Sequence, residues 1–184
     1  MEATKVKDLM VPVDEYITLS EDATLYEVVL ALEQAGGNYE VRSAPFRAVL
    51  IRDKSGKVIG KMGFLDVIRS LEPAYTEMGD LRKLSGYGLS AEFLKSMLGR
   101  YELWKQPLED LCRKASERKV GKLVASPLEG EVIDQDASLN QGIHQLILGH
   151  HQSLLVASKG EVVGILRLAD VFMEVARRMK ACMV

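Results

Sequence analysis

Apolar residues recur along this chain with two alternating periods. Leu25, Val28, Val29 and Leu32 fall on one helical face, as do Leu139, Ile143, Leu146 and Ile147 further on. Thr24 with Glu27, and Ser138 with Gln141, fit the S/T-x-x-E/Q pattern in which side chains and backbone N–H groups satisfy each other, so a helix is predicted to start at each. Behind each helix come two short apolar runs around a turn. The first pair is AVLI and KVIGKM about RDKSG; the second is SLLVA and EVVGIL about SKG. Runs of this length beside Gly-containing turns predict paired strands. FLDVIRSL and LADVFMEVARRM then close the two series as helices. Leu50, Ile59, Leu155 and Val163 are expected to be buried.

The whole series is written twice. At an offset of 114, Val6 falls on Val120, Leu9 on Leu123 and DATL (22–25) on DASL (136–139). At an offset of 104, Gly56 falls on Gly160, Gly60 on Gly164, Asp66 on Asp170 and Val67 on Val171. The first copy therefore carries ten more residues, placed near GGNYEVRSAP, which reads as loop. Each copy is a strand-helix-strand-strand-helix unit with a short leading segment. Neither is long enough to bury its own sheet well, so the two are expected to pack face to face about a pseudo-two-fold axis. The fold class is α/β (α+β), divided into residues 1–72, 73–119 and 120–184.

The middle stretch is too long for a structureless loop in a compact protein. Leu94, Met97, Leu98 and Tyr101 share a helical spacing, and so do Leu108, Leu111, Cys112 and Ala115. Ser90 is a suitable N-cap, Pro107 suits a first turn, and SGYG (85–88) is a break. Two or three short amphipathic helices are predicted. Either they cover apolar surface of their own module, or they form an arm that contacts a partner. Phe93, Met97, Tyr101 and Trp104 are of the types enriched at interface cores, and a homodimer made in part by this arm is expected.

Composition narrows the function. A net charge of -2 gives no reason to expect nucleic acid, which demands clustered cations. No apolar run approaches a membrane span, and MEATKVKDLM lacks the apolar core of a signal peptide, so a cytoplasmic protein is expected. Cys112 and Cys182 make no disulfide framework, and Cys112 is expected in the core. His144, His150 and His151 lack a carboxylate or Cys to complete a metal site. No phosphate loop, nucleophile elbow or acid–base–nucleophile set appears, so neither catalytic residues nor a metal nor a required cofactor is expected.

The lead VKDLMVP, the DATL and DASL helix starts, and the closing G-x-x-x-x-x-D-V in both copies resemble cystathionine-β-synthase-type (CBS) domains, which occur in tandem pairs (Bateman modules) with the element order above. The resemblance covers about residues 4–72 and 118–178. It implies a regulatory protein rather than an enzyme, with AMP, ADP, ATP or S-adenosylmethionine as a regulatory ligand in a cleft between copies. In that family the closing Asp holds the ribose, which makes Asp66 and Asp170 candidates. The base slots among apolar residues of the leading segments, here Tyr16 and Val132. Cations near the mouth take the phosphates, here Arg47 and His151. The family pattern places Ser or Thr three residues after the Gly; this chain has Gly63 and Arg167 there. Arg167 either contacts phosphate, since guanidinium forks phosphate well, or pairs with an acid of the chain. A ligand-sensing module acting on an unknown regulated protein is the first reading. A ligand-free dimerisation scaffold with non-functional clefts is the alternative. The carboxylate's other role, capping the helix it opens, needs no ligand at all.

Overall fold

The computed structural model describes residues 4–34, 48–77 and 90–182. The ten-residue surplus at 36–45, Arg47 and the SGYG break lie outside the described residues.

The paired series form as the sequence predicts. Strands run over Val11–Pro12 (β1), Thr18–Ser20 (β2), Ala48–Arg52 (β3), Val58–Gly63 (β4), Val132–Asp134 (β5), Ser153–Ser158 (β6) and Glu161–Arg167 (β7). Helices run over Leu25–Gln34 (α1), Phe64–Leu71 (α2), Ala74–Glu77 (α3), Ala91–Arg100 (α4), Leu108–Ser116 (α5), Leu139–Leu148 (α6) and Leu168–Cys182 (α7). Both capping boxes are made. Thr24 N–H donates to Glu27 at 2.6 Å and Glu27 N–H returns to Thr24 Oγ1 at 3.2 Å; Ser138 N–H donates to Gln141 at 3.0 Å and Gln141 N–H returns to Ser138 Oγ at 3.3 Å. A helix between two parallel strands then covers each sheet: β2 runs parallel to β3, and β5 to β6. Val49, Leu50 and Ile51, like Leu154, Leu155 and Val156, are wholly buried, as strands covered on both faces must be.

Contacts divide the chain into two units, and the division does not follow the repeat. One unit joins the described part of Met1–Ile17 to that of Ser126–Val184; the other is the described part of Thr18–Ala125. The leading segments are exchanged. That of the first copy supplies β1 to the sheet β1-β7-β6-β5, with Val11 opposite Ile165 and Pro12 opposite Gly164. Val6 N–H donates to Ala137 O and Leu139 N–H to Thr4 O, tying that segment to the start of α6. That of the second copy is tied in the same way to the start of α1 in the unit of the sheet β2-β3-β4, though it adds no strand there: Val120 N–H donates to Ala23 O, and Leu25 N–H to Arg118 O.

Two of the four expected core positions come out differently. Leu50 and Leu155 are fully buried, but Ile59 and Val163 are only partly so. In β4 the partners jump from Arg52↔Val58 to Ile51↔Gly60; in β7 they jump from Ala157↔Val162 to Val156↔Gly164. Ile59 and Val163 are thus the extra residues of matching β-bulges, turned out of the ladder's alternation.

The middle stretch contains three helices among the described residues. Leu111 and Ala115 of α5 are buried, and α5 packs on α1 and α2. Leu108 and Cys112 are exposed, which corrects the placing of Cys112 in the core: the α5 stripe is narrower than its spacing suggests. Trp104 is held within its own unit. Its N–H donates to Glu72 at 2.9 Å and its indole Nε1 to Tyr75 Oη at 3.0 Å. Ser90 caps α4, accepting from Phe93 N–H at 3.1 Å, while Phe93, Leu94, Leu98 and Tyr101 remain exposed.

Candidate functional site

Asp66 and Asp170 are each the third residue of a helix that follows a strand directly, and they have different partners. In α2, Asp66 Oδ2 accepts the Gly63 N–H at 2.9 Å, and Arg69 stands 3.6 Å from Oδ1. This carboxylate satisfies one of the free N–H groups at its own helix start. In α7, both oxygens of Asp170 are engaged by one guanidinium. Arg167 Nε donates to Oδ2 at 2.5 Å and Nη2 to Oδ1 at 2.6 Å, with only 19% and 23% of the two side chains exposed. Arg167 ends β7, so this fork spans the strand-to-helix junction. The first copy has Gly63 at that place and cannot make it.

Tyr16 belongs with this pair. The β1–β7 ladder carries the chain into a 3-10 turn at Val13–Glu15, after which Tyr16 is 6% exposed. Burial pushes its hydroxyl pKa up to about 12; the nearby Arg167 charge works against that rise and Asp170 adds to it. Arg167 is itself held above its ordinary range by the hydrogen bond to Asp170, against the cost of its burial.

The other candidates lie elsewhere. Val132 opens β5 opposite Leu155, half-buried, its carbonyl accepting from Gln145 Nε2 at 2.9 Å. The residue in register with Tyr16 is Gly130; Val132 is in register with Thr18, because β2 and β5 are the matching strands. His151 donates its N–H to Leu146 O at 3.0 Å, and its ring lies on Gly149, where a Cβ would stand 2.1 Å from Nε2. With Gly130, Gln141, His144 and Leu148 it lines an open groove of about 690 Å³, whose lining includes none of Tyr16, Arg167 and Asp170. Arg47 lies outside the described residues. The structure thus assembles Tyr16, Arg167 and Asp170 in one unit and places Asp66 in the other.

Sequence reasoning passed over the reason for the paired glycines. A Cβ on Gly164 would stand 2.7 Å from Val11 O and 2.8 Å from Met10 Sδ; on Gly60 it would stand 2.6 Å from a Val124 methyl and 3.0 Å from Ala125 O. Each glycine admits the exchanged leading segment. Their shared register at offset 104, beside that of Val11 and Ala125 at 114, was the available signal.

Among the described residues no group of three or more His, Cys, Asp or Glu is placed to hold a metal ion, and no helix is long and apolar enough to cross a membrane. Two small sheets, each with its crossover and closing helices and a leading segment from the other repeat, define the fold of a tandem CBS-domain protein.

No family model matches the chain, and no curated protein matches it. Among solved structures it is similar to CBSX2 in complex with AMP: 14% identity, TM-score 0.59, covering 96% of this chain and 98% of that one. It is similar to CbpB in complex with c-di-AMP (14% identity, TM-score 0.58, 98% and 90% covered). A CBS-domain containing protein from Agrobacterium tumefaciens gives 16% identity and a TM-score of 0.55, with 93% and 92% covered. Identities this low describe a shared fold.

Proposed function

We propose that the chain is a regulatory module that binds an adenine-type nucleotide (AMP, ADP, ATP or a related adenosyl ligand) and signals its presence to a partner protein. The observation that carries this is the grouping of Tyr16, Arg167 and Asp170 at one strand-to-helix junction. The carboxylate stands where the resembled family holds a ribose, with a phosphate-matching fork beside it at the start of α7. Two proteins of similar fold, in complex with AMP and with c-di-AMP, support the ligand class. Titration calorimetry tests it. Binding in the micromolar range or weaker is expected, and Asp170→Ala is expected to weaken it more than Asp66→Ala. No heat from any adenosyl compound at millimolar concentration would sink this reading.

A second reading has an observation of its own. Both carboxylates already have partners within the chain, as a scaffold with occupied sites would have. Both readings accommodate a homodimer. Its expected contact is α4, whose Phe93, Leu94, Leu98 and Tyr101 are exposed, rather than Trp104 and α5, which cover their own unit. Light scattering on the chain and on a Leu94→Glu/Leu98→Glu variant tests this. A 20.4 kDa species from the unaltered chain at micromolar concentration refutes the dimer.

A further inference from the structure

We infer that Arg167 is a latch on Asp170 that makes this site answer to phosphate-bearing ligands and refuse the corresponding nucleosides. The inference rests on the proposal that the site takes an adenine nucleotide. The Arg167 fork bridges both Asp170 oxygens on the side a ribose diol would use to bridge them, so a ribose can take that two-point grip only after the guanidinium has moved. Neutral hydroxyls alone would exchange two charge-assisted bonds for two ordinary ones and part the guanidinium from its carboxylate. The pair is mostly shielded, at 19% and 23% exposure, so water substitutes poorly for what is lost. A phosphate reverses this balance, because it offers the guanidinium a second fork of the same geometry. Ribose and phosphate on one molecule therefore open the latch together, and either alone does so badly. The opening is a side-chain movement, since Arg167 is anchored opposite Ser153 in the ladder and Asp170 lies in the first turn of α7. The first copy supplies the contrast within the same chain. Gly63 stands in the latch position there, and Asp66 accepts a backbone N–H instead.

The test is calorimetric titration of the full chain with AMP, adenosine and ribose 5-phosphate, repeated on Arg167→Ser and Arg167→Lys. For the unaltered chain, AMP is expected to bind at least about tenfold more tightly than adenosine, the loss expected for one charge-assisted bond. Arg167→Ser should weaken AMP, strengthen adenosine and bring the ratio to about one. Arg167→Lys keeps the charge without the fork and should fall between. Equal affinity of the unaltered chain for AMP and adenosine overturns the latch and leaves the nucleotide reading standing. So does an unchanged ratio in Arg167→Ser. If only Arg167→Ser binds, and it takes adenosine, phosphate does not open the latch and the inference fails while the site survives. If no form binds any of the three, the nucleotide reading falls and takes the inference with it. Should Arg167→Ser fail to fold, the ratio for the unaltered chain and its change in Arg167→Lys decide alone.

Discussion

Adding one methyl group at Gly164 tests whether the exchanged leading segment is held as tightly as the geometry says. An alanine Cβ there would meet Val11 O at 2.7 Å and Met10 Sδ at 2.8 Å, where ordinary contact begins near 3.4 Å. The methionine end can turn away, but the carbonyl belongs to β1 and must retreat by about 0.7 Å. β1 is two residues long, so a retreat loosens the whole strand. The retreat gives up one or two ladder bonds at about 1 kcal/mol each, and overpacking with its backbone shift costs about 1–3 kcal/mol in all, so Gly164→Ala should destabilise its unit by about 2–3 kcal/mol. For a chain of this size that corresponds to a fall in melting temperature of about 4–12 °C. The assay is urea and thermal unfolding followed by far-UV circular dichroism, with hydrogen exchange at Val6, Lys7 and Leu139 to locate the loss. Their N–H groups bond across the junction of leading segment and α6 start. Gly99→Ala is the control: it sits in α4 with nothing within 4 Å of the new methyl, and a helix gains up to about 1 kcal/mol from that change. Gly164→Ala within about 0.3 kcal/mol of the parent, with exchange at Val6 and Leu139 unaltered, would refute the close approach.

Removing the second capping box by Ser138→Ala should cost about 1 kcal/mol, read as a lower urea midpoint, because Gln141 N–H loses its acceptor. Tyr16 should stay protonated until about pH 12. Its folded pKa lies above the ordinary value of 10.0, so the stability this contributes is whole below pH 10 and is lost as pH rises from about 10 to 12. Absorbance titration at alkaline pH, compared with Tyr16→Phe, reads it directly; a tyrosine signal near pH 10 that vanishes in the variant would contradict the burial. Trp104 is the only tryptophan, so its fluorescence should report the packing of its own unit, and Glu72→Ala should redden it by freeing the 101–104 turn to move.

What the sequence made legible was local. The capping boxes span four residues each, and the strand and helix periods are read within a turn or two of the chain; every element so predicted among the described residues is present. What it hid was non-local. Ile59 and Val163 are apolar residues in apolar runs, and only the partner strand's register shows them as bulges. Val132 opens β5 as Thr18 opens β2, and only those strand starts show that the residue matching Tyr16 is Gly130. Asp170 and Arg167 were both visible, but two bonds at 2.5 and 2.6 Å between them need the β7–α7 junction to be seen. Cys112 shows the limit of a helical stripe: the spacing gives its direction, and the neighbours α1 and α2 set its width.

The exchange of leading segments also sets an order of assembly during synthesis. Residues Thr18–Ala125 contain everything the β2-β3-β4 unit needs and can close on themselves as soon as they emerge. Residues up to Ile17 are made before that unit, yet their partners are Ser126 onward, with Gly164 and Ile165 about 150 residues later. At about 5–20 residues per second, β1 waits roughly 7–30 seconds for the strand it pairs with. This leading segment is therefore translated well before it is fastened. Until then Val6, Met10 and Val11 are apolar residues without their native cover, and a chaperone or a neighbouring nascent chain has its longest access to this protein there.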